Sequence, residues 1–128
     1  MNHLNEISGH ILDSAIKVHR SLGPGLLESV YERALAHELK KRGLKVDVQI
    51  PITFTYDDIV FDEGFRADLI VGDSVIVELK SVETLKDIHK KQLLTYLRLS
   101  GHKLGLLINF NEVLLKDGLT RIANGTSN

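Results

Sequence analysis

The chain has no cysteine, which excludes a disulfide framework and thiolate metal sites. Asp, Glu and six His remain as possible metal ligands, so oxygen ligation is favoured. Tryptophan is absent too, and three Tyr with four Phe are too few for a base-stacking platform to be read from sequence. No apolar run approaches the roughly 18 residues of a membrane span. Met1 to Asp13 lacks the basic-then-apolar order of a secretory signal. The expectation is a soluble, cytoplasmic protein with no membrane role. The formal net charge is −1, so no general excess of positive charge attracts nucleic acid, and any basic surface must be local. Linkers, repeats and low-complexity segments are also missing. A length of 128 residues fits one domain, 1–128, able to bury its own core.

What is present alternates between two periods. Leu4, Ile7, Ile11, Ala15, Val18 and Leu22 recur every three or four residues, one face of a helix that Gly23-Pro24-Gly25 ends. Leu27, Val30, Tyr31, Ala34, Leu35 and Leu39 repeat the pattern up to Gly43, predicting a second helix and an αα-hairpin. Glu28 and Glu32 fall in its first turns, where carboxylates are mildly favoured by the helix dipole. From Leu44 the period becomes two, a half-exposed strand interrupted at Pro51 and continuing bent to Tyr56. Asp57-Asp58 and Glu63-Gly64 read as turns around a short strand piece, Ile59 to Phe61.

The stretch Gly64 to Lys80 reads as two apolar strands joined at Gly72-Asp73, yet it carries Asp68, Glu78 and Lys80. A two-residue loop would put Asp68 and Glu78 on opposite faces. A three-residue loop, Gly72 to Ser74, pairs Val71 with Val75 and sets Asp68 opposite Glu78, with Lys80 on the same face. Opposed carboxylates repel, so this register makes sense with a cation or a proton between them.

Thr84 with Asp87 resembles a capping box for a helix running through Leu85, Ile88, Leu93 and Leu97 to Ser100-Gly101, with His89, Gln92 and Tyr96 along one side. Leu104 to Phe110 is a buried-strand run. Val113 to Ile122 reads as a small hairpin turning at Asp117-Gly118, and Asn124 to Asn128 as a frayed tail. The order is α, α, β, β, β, α, β with a terminal hairpin: an α/β fold with a mixed sheet.

Glu-x-Lys alone is most often an exposed ion pair on a strand. Asp68, set among Phe65, Leu69, Ile70 and Val71, is harder to leave to chance in a strand expected to be buried. Two carboxylates on adjacent strands with a lysine beside them are what a metal-dependent phosphodiester hydrolase needs. The carboxylates bind a hard divalent cation, and the lysine stabilises the nucleophile or developing charge. The local basic surface is at Lys86, Lys90, Lys91, Arg98 and Lys103, against the single Asp87.

Asp68 with Glu78-Leu79-Lys80 resembles the PD-(D/E)xK nuclease signature, and Gln92-Leu93-Leu94-Thr95-Tyr96 resembles the Q-x-x-x-Y element of its RecB-like branch. Gly25-Leu26-Leu27-Glu28-Ser29-Val30-Tyr31 is similar to the pattern that names the GxxExxY proteins, grouped with that superfamily. The resemblance covers about Ile7 to Ile122; Ala67 stands where the superfamily has proline. It implies a restriction-endonuclease-like core, α-β-β-β-α-β, with an extra N-terminal helix and a small C-terminal hairpin. By the same resemblance Asp68, Glu78 and Glu28 would hold Mg²⁺ or Mn²⁺, and Lys80 would be the catalytic lysine. Gln92 and Tyr96 would position the helix and a backbone phosphate. The implied activity is hydrolysis of nucleic acid, DNA rather than RNA; the small size and unadorned core suggest that specificity comes from a homodimer or a partner protein. The alternative is a catalytically weak nuclease-fold protein that binds nucleic acid or acts as an interaction subunit.

Overall fold

The amphipathic repeats form the expected helices. In a computed structural model, which describes residues 2–125, α1 spans Asn2–Leu22 and α2 spans Glu28–Lys41. Five strands come after them: β1 Val46–Tyr56, β2 Ile59–Val71, β3 Val75–Lys80, β4 Leu104–Asn109 and β5 Leu119–Ala123, with α3, Asp87–Ser100, between β3 and β4. They form one sheet in chain order, antiparallel except for the β3–β4 pair, which is parallel because the α3 crossover reverses the chain between them. This is the restriction-endonuclease-like α-β-β-β-α-β order from α2 onward, preceded by α1.

The helices cover both faces. Ile7, Ile11, Ala15 and Val18 of α1 and Tyr31, Leu35 and Leu39 of α2 pack on Leu69, Val71, Val75, Val77 and Leu79. On the opposite face Leu93 and Leu97 of α3 pack on Ile52, Ala67, Ile70, Ile76 and Leu107. Buried on both sides, β3 and β4 read as continuous apolar runs. That is why Glu78, in the middle of such a run, stands out.

Several local expectations are corrected. Glu63-Gly64 is not a turn: β2 runs unbroken through it, and the register with β1 shifts between Ile52 and Phe54, so the ribbon absorbs extra residues as a bulge. Gly64 is needed there because the Phe54 ring lies where a Cβ would be. Pro51 does not interrupt β1, an edge strand where a missing N–H is tolerated. Thr84 does not cap α3. The helix begins two residues later than a Thr84 cap requires, at Asp87, with Lys86 as the N-cap, whose backbone N–H donates to His89 Nδ1 at 3.0 Å. Val113 to Ile122 does not fold on itself; Leu115–Gly118 is a short 3₁₀ turn, and the hairpin is β5 returning along β4. Asn124 is tied down, donating to the carbonyls of Leu97 and His102 at 3.2 and 2.9 Å. The expected tail beyond residue 125 lies outside the described residues. Among the described residues no helix is long and apolar enough to cross a membrane.

Candidate active site

The β2–β3 turn holds three residues, and Val71 pairs with Val75, Ile70 with Ile76 and Leu69 with Val77. Gly72 and Asp73 adopt φ of 59° and 56°, the left-handed region that Gly and Asp tolerate best. Continuing this register by one residue sets Asp68 opposite Glu78, but here side chains replace the backbone ladder. The N–H of Asp68 donates to Glu78 Oε2 at 2.8 Å, and the N–H of Leu79 donates to Asp68 Oδ2 at 2.8 Å. Each carboxylate is thus held by the other's strand, and the two are locked side by side.

Glu78 is only 9% exposed. Burial, and then the adjacent Asp68, push its carboxyl up to about 8, outweighing the opposing pull of the Asp68 N–H and of Lys80. A buried acid beside a second acid is the signature of a place that takes a cation or keeps a proton. Lys80, half-buried one turn of the pleat beyond Glu78, makes no ion pair among the described residues.

The first turns of α2 are fixed against this end of β3 by a clasp. Tyr31 is fully buried; its hydroxyl donates to the Gly23 carbonyl at 2.6 Å and accepts from the Leu26 N–H at 3.0 Å. Ser81, next after Lys80, donates its hydroxyl to the Leu26 carbonyl at 2.7 Å and its N–H to Glu28 Oε2 at 3.3 Å. The buried Asn109 at the end of β4 pins the neighbouring residue, accepting from the Val82 N–H at 3.1 Å and donating to the Val82 carbonyl at 2.9 Å. Glu28 therefore reaches the site's edge, but its carboxylate is turned to Ser81. Among the described residues no three Asp, Glu or His side chains converge as a metal cage.

Two residues that sequence reasoning did not single out complete the cleft. Gln49 lies across β1 from Asp68 with a φ of 52°, a left-handed residue inside a strand. Its amide donates to Asp68 Oδ1 at 3.1 Å and to Glu32 of α2. Glu28, Ser29, Glu32, Gln49, Asp68 and Leu79 enclose about 260 Å³. Glu32, one turn after Glu28, had a sequence signal; Gln49 had none, because nothing in an alternating strand marks a left-handed glutamine.

Tyr96 of α3 stacks on Phe65 with ring centroids 3.9 Å apart. Partial burial, then the fields of Glu78 and Asp68, raise its phenol, so it is a hydrogen-bond donor at neutral pH. The Gln92 side chain is exposed and, among the described residues, makes no hydrogen bond. His89 is spent on the start of α3, and His19 on the Glu112 carbonyl at 2.7 Å.

The donor set suits Mg²⁺ or Mn²⁺. Such ions bind through one or two carboxylates and leave their other positions to water and phosphate oxygens, which is what Asp68 and Glu78 offer without a third converging side chain. Residues 5–122 match the family model described as the PD-(D/E)XK nuclease superfamily. No curated protein and no solved structure matches the chain.

Proposed function

The chain belongs to the PD-(D/E)XK nuclease superfamily, and from that premise we propose that it is a divalent-metal-dependent nuclease acting on nucleic acid, DNA before RNA. The observation that carries this reading is the interlocked pair of Asp68 and Glu78 with the unpaired Lys80 beside it. Asp68 and Glu78 would hold Mg²⁺ or Mn²⁺, and Glu28 would reach the same ion through water. When bound, the ion supplies positive charge to the phosphate and makes water a stronger acid. Glu78 must give up its proton for this, so cation binding strengthens as pH rises through about 8. Lys80 carries a positive charge toward the attacked phosphate, where it orients the nucleophile or neutralises developing charge. Gln92 and the Tyr96 hydroxyl donate to a backbone phosphate. Gly25, Glu28 and Tyr31 support the finer assignment to the GxxExxY group: the tyrosine clasps the loop that the glycine allows, and the glutamate is presented to the site.

The test is a cleavage assay on single-stranded, duplex and branched substrates with and without Mg²⁺ or Mn²⁺, with Asp68→Asn and Lys80→Ala as controls. Cleavage that needs the metal and is lost by about 10²–10³-fold or more in both variants is expected. Metal-independent cleavage, or full activity in either variant, sinks the assignment. Binding without cleavage of any substrate favours the second reading, a nucleic-acid-binding or interaction subunit built on the nuclease fold. Substrate choice in so small a domain we assign to a second copy or a partner protein.

A further inference from the structure

Two of the seven aromatic residues, Tyr31 and Phe110, are fully buried and stacked on each other in the core. The other five are all at least partly exposed: Phe54, Tyr56, Phe61 and Phe65 lie on the ribbon made by β1 and β2, and Tyr96 of α3 stacks against the inner end of it. Starting at the carboxylates, Tyr96 stacks on Phe65 at 3.9 Å and 3°. Beyond the bulge, Phe54 covers Gly64 and stacks on Phe61 at 5.3 Å and 16°. Tyr56, 69% exposed, lies two residues past Phe54 and pairs with Ile59 at the tip. Ile52, Phe54 and Tyr56 share one face of β1 by strand alternation. Ile52 and Phe65 pack in the cluster under α3, so the rings form a track on the α3 side of the sheet that runs outward from the site.

Phe65 packs against the cluster under α3, whereas Phe54, Phe61 and Tyr56 belong to neither buried cluster among the described residues. A two-stranded ribbon reaching past the sheet is marginal by itself, and an exposed tyrosine with Ile59 and Val60 at its tip, 54% and 67% exposed, is a cost unless something covers it. The charges around it restrict what that is. Asp57, Asp58, Asp62 and Glu63 edge the ribbon, and no Lys or Arg occurs between Ile52 and Phe65. On the same side of the sheet α3 and its N-cap expose Lys86, Lys90, Lys91 and Arg98. A ligand with flat apolar faces on one side and phosphates on the other matches this division, rings to the ribbon and phosphates to α3. A duplex does not, because its base faces are stacked inside and its two backbones would bring one row of phosphates to the acidic edge.

We infer that the aromatic track from Tyr96 to Tyr56 binds single-stranded nucleic acid, stacking its bases on the ribbon and delivering the strand to Asp68 and Glu78. This rests on the nuclease reading and narrows its substrate to unpaired strands, whether free ends, flaps or gaps. Stacking on rings is tolerant of base identity, so the track selects strandedness and not sequence.

Anisotropy of fluorescein-labelled oligothymidylate in EDTA, which prevents cleavage, tests it against a duplex and an abasic strand of equal length. The single strand is expected to bind at least about tenfold tighter than either, and Tyr56→Ala to weaken it about tenfold while leaving the melting temperature unchanged. Equal binding of the abasic strand, tighter binding of the duplex, or no binding of any probe overturns the inference. So does a Tyr56→Ala effect confined to sedimentation, which would make the ribbon tip a protein contact. Calorimetry with Mn²⁺ separates the two layers. A protein that takes Mn²⁺ through Asp68 but shows no strand preference loses the aromatic track alone. One that takes no Mn²⁺ loses the nuclease reading and this inference with it.

Discussion

Tyr31 stacks on Phe110 at 4.5 Å and 9°, and Tyr96 stacks on Phe65 at 3.9 Å and 3°. The ring geometry is nearly the same in the two pairs, but the surroundings are opposite. Around Tyr31 everything is satisfied internally: the rings are fully buried, and the hydroxyl both donates to Gly23 and accepts from Leu26. Around Tyr96 the rings are half-exposed, and among the described residues the hydroxyl has no hydrogen-bond partner, although a buried carboxyl is close enough to raise its proton affinity. Stacking is common to both. What separates architecture from a working surface is whether the polar end of the ring has been paired off inside the fold or left for something that arrives later.

That contrast can be broken at its stronger end first. Tyr31→Ala is expected to cost about 3–5 kcal/mol of stability, because it empties the core beside Phe110 and orphans the Leu26 N–H. Urea unfolding measures this. A loss under about 1 kcal/mol would show that the pair is not the keystone of the α2 loop.

From the side of the site, pH is the sharper tool. The Glu78 carboxyl has a folded value of about 8 against an ordinary 4.5. Below pH 4.5 it is protonated folded and unfolded alike. Between 4.5 and 8 the unfolded chain ionises first, so stability falls as pH rises and the loss is complete above about 8. In metal-free protein the loss is on the order of 3–5 kcal/mol. Glu78→Gln is expected to flatten that slope, and an unchanged slope would mean that the carboxyl is not held protonated by its surroundings.

Gln49→Asn comes next in size. Asparagine accepts a left-handed backbone at least as readily, but its amide is too short to bridge Glu32 and Asp68. Mn²⁺ affinity is expected to fall about tenfold by calorimetry, with the melting temperature held or raised. An unchanged affinity would reduce the bridge to packing. The smallest effect falls on the open pair itself: Tyr96→Phe removes a hydroxyl that the fold does not use, so stability should move by less than about 0.5 kcal/mol, whereas cleavage slows measurably. A stability loss like that of Tyr31 would erase the distinction between the pairs.

The parts of the site that were legible in the sequence are those governed by local rules. Period two, a glycine at the turn and a conflict between charge and apolar neighbours were enough to require the three-residue turn at Gly72 to Ser74, and the pairing of Val71 with Val75 has that register. The helices came from their apolar spacing, although Leu27 and Val30 face solvent. Illegible features were settled by distant partners. Glu63-Gly64 carries every mark of a turn, but the glycine is there because Phe54 comes down on it. Asp117-Gly118 carries the mark of a hairpin, yet β4 recruits Leu119 to Ala123 as its own partner strand. Asn109, at the end of an apolar run, gave no hint that it holds the loop after Lys80 in place. Five of the seven scattered aromatics cannot be seen to gather until the ribbon and α3 are drawn together.

Because the chain has no tryptophan, no indole drains the excited state of its tyrosines, and their emission is the protein's own. The three of them sit in three places: Tyr31 sealed in the core, Tyr56 in water at the ribbon tip, and Tyr96 beside the carboxylates. A quencher in solution reaches the second and not the first. A neighbouring carboxylate quenches phenol emission, so the third changes brightness when Glu78 changes charge or partner. Unfolding, strand contact and cation uptake are therefore separately visible in the light of an unlabelled molecule.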